Sequence, residues 1–306
     1  MEKFKEISFL KNLKRVGKAT IYGKYWRILK NSIGLDDLIS NIEKFESKFS
    51  KEDLQKAKKN AEDLYNYIID SDINVITVFD ENYPQQLTEM GNKRPLILYV
   101  KGNVDALSKP NIAVIGTRKP LDQSQDFEKD VVKAIIHESN RVIVSGLALG
   151  CDKIAHQTTV DENKSTIAIL PSGVDIIKPA KHKKLAEQII QTGGCLISEY
   201  EPNKSAFKST YVERDQIVAA FSDATFVIEC SVKSGTMHTV DAAYKFNRQL
   251  FTYLPSERLD GSYDGNEFIL NGNYDAIRVD EIDKFLNDLK RLNVNTKHNS
   301  NQQTLI

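Results

Sequence analysis

Between Ile112 and Leu254 the chain alternates short, unbroken apolar runs with polar stretches of helical character, and this pattern constrains the fold more than any other feature. The runs are 112–117, 141–147, 166–173, 195–200, 224–230 and 249–254, and helices are expected near 122–138, 152–162, 181–192, 211–222 and 236–246. A strand with one wet face alternates apolar and polar residues, whereas an unbroken apolar strand is covered on both faces. Alternation of such strands with helices implies parallel pairing through right-handed crossovers. The expected fold is therefore α/β, a Rossmann-like, doubly wound, mostly parallel sheet with ligand loops at the carboxyl ends of its strands.

The flanks differ in character. Phe9, Leu10, Leu13 and Val16 lie on one helical face, and Tyr22, Tyr25, Trp26, Ile28 and Leu29 belong to a second helix. Leu35–Ile42 forms a third, and Lys51–Ile69 a fourth, opened by Ser50 as its N-cap. A small helical domain over 1–72 results. It is either a packing module or, because Lys11, Lys14, Arg15, Lys18 and Lys24 cluster there, a DNA-contacting one. Residues 73–258 form the Rossmann-like domain, in which 73–110 supplies two lead-in strands (73–78 and 95–100) and a short helix near Pro84. Residues 259–306 form a C-terminal extension, with helices near 266–270 and 281–292 and a tail, VNTKHNSNQQTLI, of disordered composition.

With 42 basic and 42 acidic residues in 306, the net charge is zero, so any attraction for a polyanion has to come from local patches. The opening segment lacks the apolar core of a signal peptide, and no run approaches the roughly 18–20 residues of a membrane span. Cys151, Cys195 and Cys230 show no metal-ligand spacing and read as reduced, buried thiols. A cytoplasmic protein without a membrane segment, a metal or a cofactor is expected.

Glycine and small polar residues gather where the strands end. The candidate phosphate or nucleic-acid contacts are Gly116, Thr117 and Arg118 after the first run, then Ser145, Gly146, Gly150 and Asp152 after the second. Gly173 follows the third, Arg214 lies on the helix after the fourth, and Lys233, Ser234, Gly235 and Thr236 follow the fifth. Glycines let backbone N–H groups approach an anion, and each loop leads into a helix N-terminus. No single loop is specific: there is no Walker A sequence, and GLALG lacks the spacing of a dinucleotide fingerprint.

The succession YPQQL (83–87), LYVKGN (98–103), IAVIGTR (112–118), SGLALGCDKIAH (145–156), TIAILPSGVDIIKP (166–179), LISEYEP (196–202), RDQIVAAFSDATFVIEC (214–230) and KSGTMHT (233–239) resembles the DNA-processing protein A (DprA/Smf) family in order and spacing. NEFILNG (266–272) resembles the segment that follows the family's last strand. The resemblance implies a non-enzymatic protein that binds and protects single-stranded DNA, forms a homodimer and loads RecA-type recombinase during natural transformation. The family's Gly-Ser-Arg falls on Gly116, Thr117 and Arg118. Its S-G-x-A-R-G-x-D falls on Ser145, Gly146, Ala148, Leu149, Gly150 and Asp152. Its F-x-x-R-N-R falls on Tyr211, Arg214, Asp215 and Gln216, and its S-G-T/S on Ser234, Gly235 and Thr236. Leu149 and Gln216 stand where the family has arginine, and Asp215 where it has asparagine, so the central pocket is less cationic than the pattern. Lys119, Lys178, Lys181, Lys183, Lys184, Lys204, Lys208 and Lys233 could restore a basic rim. After Leu254 too few periodic apolar residues follow to build the winged-helix module that many relatives carry.

Catalysis finds little support. Related Rossmann proteins that hydrolyse nucleoside monophosphates use GGxGTxxE, and Thr239 stands where that glutamate would be. His238 is a candidate base or a packed helix-face residue. His156 lies one turn after Asp152, either orienting a catalytic imidazole or bracing the loop. Glu199 and Glu229, placed at the ends of adjacent strands, could bind a metal or ribose, or cap backbone amides. Tyr200 and Tyr211 stack on bases or pack, and Phe221 belongs to the core. Two functions stand: a single-strand DNA-binding protein, or a nucleotide-binding sensor or nucleotide-processing enzyme in the same crevice.

Overall fold

The computed structural model describes residues 1, 3–257 and 263–300, the last eight by their backbone. Five helices come first: α1 (Phe4–Asn12), α2 (Lys18–Thr20), α3 (Trp26–Asn31), α4 (Leu35–Phe45) and α5 (Lys51–Ile69), with a π-turn over Ile21–Tyr25 joining α2 to α3. Ser50 caps α5 as expected. Its hydroxyl accepts from the Asp53 amide at 3.1 Å and the Asp53 carboxylate accepts from the Ser50 amide at 3.2 Å, so two otherwise orphaned donors are satisfied.

The strands follow: β1 (Ile73–Thr77), β2 (Ile97–Gly102), β3 (Asn111–Ile115), β4 (Val142–Ser145), β5 (Thr166–Ile169), β6 (Cys195–Ser198), β7 (Ala224–Val227), β8 (Gln249–Tyr253) and β9 (Ala276–Val279). They form one nine-stranded sheet in the order β1-β2-β6-β5-β4-β3-β7-β8-β9. β1 and β2 pair antiparallel and join β6 antiparallel; every other pairing is parallel. The lead-in strands thus extend the main sheet. β9 is a strand where the sequence suggests only loop. It is a four-residue edge strand, partly exposed and flanked by acidic residues, so it has neither the length nor the unbroken apolar character of the inner strands.

The remaining helices are α6 (Asp122–Ala134), α7 (Cys151–Asp161), α8 (Lys183–Gln191), α9 (Lys208–Phe221), α10 (Thr236–Lys245), α11 (Asp264–Asn271) and α12 (Ile282–Ser300). α12 continues into the expected tail as far as Ser300, and 301–306 lie outside the described residues. Alternate residues of each inner strand serve opposite faces. Ile112 and Val114 pack beneath α6 and α12, whereas Ala113 and Ile115 pack against α9 and α10. On the β1–β2–β6–β5 side, Tyr99, Ala168 and Leu196 share one core with Phe4, Phe9 and Leu10 of α1 and with Ile189 of α8. The helical region and the sheet therefore bury one another directly.

β3 lies between β4 and β7. The chain winds outward from it through β4, β5 and β6, then returns to its other side with β7, β8 and β9. The strand order reverses at that point, and such a reversal opens a crevice at the carboxyl ends of the strands.

Candidate nucleic-acid interface

A cleft of about 530 Å³ occupies this reversal. Its walls are the loop after β3, the loop after β4, the exposed side of α9 and the first turn of α10. Of the residues singled out in the sequence, Gly116, Thr117, Arg118, Gly146, Asp152, Arg214, Ser234, Gly235 and Thr236 border it.

Backbone bonds fix the two inner loops against each other. The Thr117 amide donates to the Glu229 carbonyl at 2.7 Å and the Cys151 amide to the Thr117 carbonyl at 3.1 Å. Gly150 has φ +73°, and a Cβ there would lie 2.3 Å from the Thr117 carbonyl oxygen, so the crossing of the loops needs glycine. Asp152 Oδ2 accepts from the amides of Gly146 and Ala148 at 3.1 and 3.2 Å. Leu147, buried at φ 59°, holds its carbonyl toward His182, whose Nδ1–H donates at 2.9 Å. Sequence reasoning missed His182; nothing in its local pattern signals a contact made across thirty-five residues of chain.

Arg214 locks this arrangement from α9. Its Nη1 donates to the carbonyls of Gly146 and Ile169, the latter at 2.9 Å, and its Nε donates to Asp215 Oδ1 at 2.9 Å. A side chain at position 146 would overlap the guanidinium. The Asp215 carboxyl is held above its ordinary value, chiefly because it is desolvated, with Asp152 adding to the rise and Arg214 opposing it. Exposed on the rim are Arg118 and Lys208. Tyr211 borders the cleft from α9, one turn before Asp215.

Four expected contacts lie elsewhere. The Ser145 hydroxyl is buried and donates to the Val114 carbonyl at 2.7 Å. Gly150 sits beneath the 117–118 backbone. Gly173 packs against Glu201 and Pro202 at the end of β5. Lys233 is exposed beyond the cleft wall. Of the eight lysines considered for a basic rim, all exposed, only Lys208 borders the cleft. In the helical region Lys11, Lys14, Lys18 and Lys24 pair with Glu201, Asp53, Glu199 and Glu46.

Several side-chain pairings differ from expectation. His156 does not engage Asp152. It is buried against Thr166, whose Oγ1 lies 2.8 Å from Nδ1 and itself donates to the Ile143 carbonyl, so Nδ1 carries the proton. Burial, then the neighbouring His182 and Arg214, push the His156 pKa down to about 3. Glu199 and Glu229 do not meet, because β5, β4 and β3 separate their strands. Glu229 accepts from the Leu121 amide at 2.9 Å and Glu199 binds Lys18. The Tyr200 hydroxyl donates to Glu213 at 2.6 Å. Phe221 is fully buried, as expected. The three cysteines are free and buried. Among the described residues no cluster of His, Cys, Asp and Glu could hold a metal, and no helix is long and apolar enough to cross a membrane.

Comparison with known proteins gives a consistent result. The model of the family described as DNA recombination-mediator protein A matches residues 74–290. DNA processing protein DprA of Streptococcus pneumoniae is 33% identical over 189 residues, covering 62% of this chain and 65% of that protein, just under two thirds of its length. The X-ray structure of DprA from that organism superposes with a TM-score of 0.75 at 26% identity, over 94% of this chain and 97% of the other. A structure of DNA processing protein A from Helicobacter pylori, described for its single-stranded DNA binding mode, gives a TM-score of 0.63 at 30% identity, over 72% of this chain and 96% of the other.

Proposed function

This chain belongs to the DNA recombination-mediator protein A family, and from that premise we propose that it binds single-stranded DNA along the carboxyl edge of its sheet as a non-catalytic DNA-processing protein. The observation that carries this reading is the set of groups meeting in one open cleft. The exposed cations of Arg118 and Lys208, the Tyr211 ring and the N-terminus of α10 with Ser234 and Thr236 all border it. Cations and helix N-terminal amides suit phosphates. An aromatic ring suits an unpaired base, which duplex DNA does not offer. The reported strand binding of the Helicobacter pylori relative supports the same conclusion. Family membership alone supports the finer steps: protection of the strand, its transfer to a RecA-type recombinase and action as a homodimer.

Absence of catalysis is part of the proposal. The Asp152 carboxylate is engaged by two amides, Asp215 is paired through one oxygen with Arg214, His156 sits beneath the loops without access to the cleft, and His238, exposed on the cleft wall, makes no side-chain hydrogen bond among the described residues. A nucleotide sensor is the competing reading, and the size of the cleft is what favours it.

Titration of a labelled oligonucleotide at two salt concentrations, with mononucleotide competitors, separates the two. Strand binding should weaken steeply with salt. Arg118→Ala should weaken it about three- to tenfold and reduce the salt slope by about 0.7, the contribution of one phosphate contact on a single strand. Absence of strand binding at low salt, or displacement of the strand by equimolar mononucleotide, would sink the proposal.

A further inference from the structure

The cleft has a rim and a floor of opposite electrical character. Arg118 and Lys208 on the rim are exposed and form no ion pair among the described residues. The floor presents two carboxylates, Asp152 and Asp215, against one guanidinium, Arg214, with the exposed His238 imidazole on the adjoining turn of α10. Arg214 is not a free cation: its side chain is 5% exposed, Nη1 is committed to two backbone carbonyls and Nε to Asp215 Oδ1. A phosphate on this floor would face two carboxylates in a partly desolvated site, where repulsion is poorly screened. Backbone phosphates therefore belong on the rim, and the floor suits a neutral group that brings its own N–H donors.

Two polar atoms of the floor remain unused. Arg214 Nη2 and Asp215 Oδ2 make no hydrogen bond among the described residues, while their sister atoms Nε and Oδ1 are bonded to each other at 2.9 Å. A free donor and a free acceptor consequently lie side by side, one of them on a side chain that is almost wholly buried. Tyr211 stands four residues before Asp215, on the same face of α9, where its ring can cover a group resting on the pair. The cleft, about 530 Å³, has the size of a site for one small planar ligand.

A donor beside an acceptor under an aromatic ring is the complement of a base edge. Guanine presents the O6 acceptor next to the N1–H and N2–H donors. Thymine places a single N–H between two carbonyls, so a carboxylate meets lone pairs on either side. Adenine and cytosine each set one exocyclic amine beside an acceptor and fall between these extremes.

Resting on the strand-binding reading above, we propose that the Arg214–Asp215 pair reads a single unstacked base in the cleft and selects guanine. Arg214 Nη2 donates to O6, and the Asp215 carboxylate accepts from N1–H and N2–H. Asp215 is thus the specificity-determining residue. The rim cations and Tyr211 hold strands of any sequence, so the selection is a preference superimposed on general affinity.

Fluorescence anisotropy tests this with labelled oligothymidylate, the same strand carrying isolated guanines, and the same strand with inosine at those positions. The guanine-bearing strand should bind about five- to tenfold tighter than the thymine strand, the low end of discrimination by a bidentate pair. Inosine, which lacks the N2 amine, should fall between them. Asp215→Asn keeps an acceptor for Arg214 Nε and removes the negative charge. It should raise affinity for the thymine strand and bring the guanine preference to within about twofold. Equal affinity of the native protein for the guanine and thymine strands overturns the proposal, as does a preference that survives in D215N. Absence of binding to any of the strands at low salt overturns the parent reading instead, whereas failure of base selection alone leaves thymine-strand binding intact.

Discussion

Glu128 is the residue at which burial and charge conflict most directly. It is fully buried on α6 beside the Cys151 thiol, and neither carboxyl oxygen has a hydrogen-bond partner. Burial raises its pKa well above the ordinary value of 4.5; the neighbouring Cys151 thiol is the largest opposing influence, the charges of Asp152 and Glu229 add to the rise, and Lys129 opposes it least. The folded state therefore holds the neutral acid. A group whose pKa is raised on folding contributes stability that is complete below its unfolded pKa and is lost as pH rises toward the folded one. From pH 5 upward, until the folded-state pKa is reached, the native protein should lose stability as pH rises, with a slope of at most about 1.4 kcal/mol per pH unit through this single group. Glu128→Gln keeps the shape without the proton, so its stability curve should be flatter by that amount. Denaturant midpoints measured across this range for both proteins check the expectation, and parallel curves would refute it. The sequence offers no hint of this: a glutamate in the helical stretch QDFEKDVV reads as solvated, and only the packing of α6 onto β3 and β7 turns it inward.

At the scale of the element, the β4–α7 loop is the part of the site held by the most constraints. Asp152 fixes two of its amides, His182 and Arg214 fix two of its carbonyls, and Gly150 carries it under the 117–118 backbone. Gly150→Ala forces a Cβ against the Thr117 carbonyl at positive φ. It should cost about 2–3 kcal/mol of stability and, by lifting Arg118 off the rim, several-fold in strand affinity. Thermal melts and the same anisotropy titration measure both, and an unchanged strand affinity would show that the rim does not depend on this crossing. Legibility varied from element to element for physical reasons. α5 and its capping box were readable because a cap is a local contact between residues three apart. The inner strands were readable because coverage on both faces leaves an unbroken apolar run. β9 was not, because an edge strand needs only one partner and little apolar surface. The pairing of His156 was misread because spacing along a helix shows which residues share a face, not which strand that face meets.

The whole molecule is knit together by the core shared between its helical start and the β1–β2–β6–β5 half of the sheet. Phe9 is fully buried there, and Trp26, the one tryptophan, stacks on Phe79 at 4.9 Å across the same junction. Phe9→Ala should therefore destabilise the protein as a unit, by about 3–5 kcal/mol. Trp26 fluorescence and far-UV circular dichroism should report one coincident transition, in the variant as in the native protein. A fluorescence change well ahead of the loss of sheet signal would mean that the helices fold separately. Lys11 and Lys18 cross this junction to Glu201 and Glu199 at the end of β6, whereas Lys14 and Lys24 pair with Asp53 and Glu46 inside the helical region. Their ion pairs engage four of the five cations that made a DNA-contacting helical domain attractive in the sequence, and Arg15 stays exposed.

By itself the sequence determined the α/β class, the order of the inner strands along the chain and the loops at their carboxyl ends, because apolar periodicity and glycine placement are local consequences of burial and backbone geometry. It also carried the family likeness through those same loops. Only the tertiary structure decided which loops meet. The reversal of strand order at β3 brings the ends of β3, β4 and β7 to one cleft and leaves Gly173 and the end of β6 outside it. Only the tertiary structure turned Arg214 from a presumed phosphate contact into a buried latch with one free donor beside Asp215, since the carbonyls it binds belong to strand ends far away in the chain and close in space.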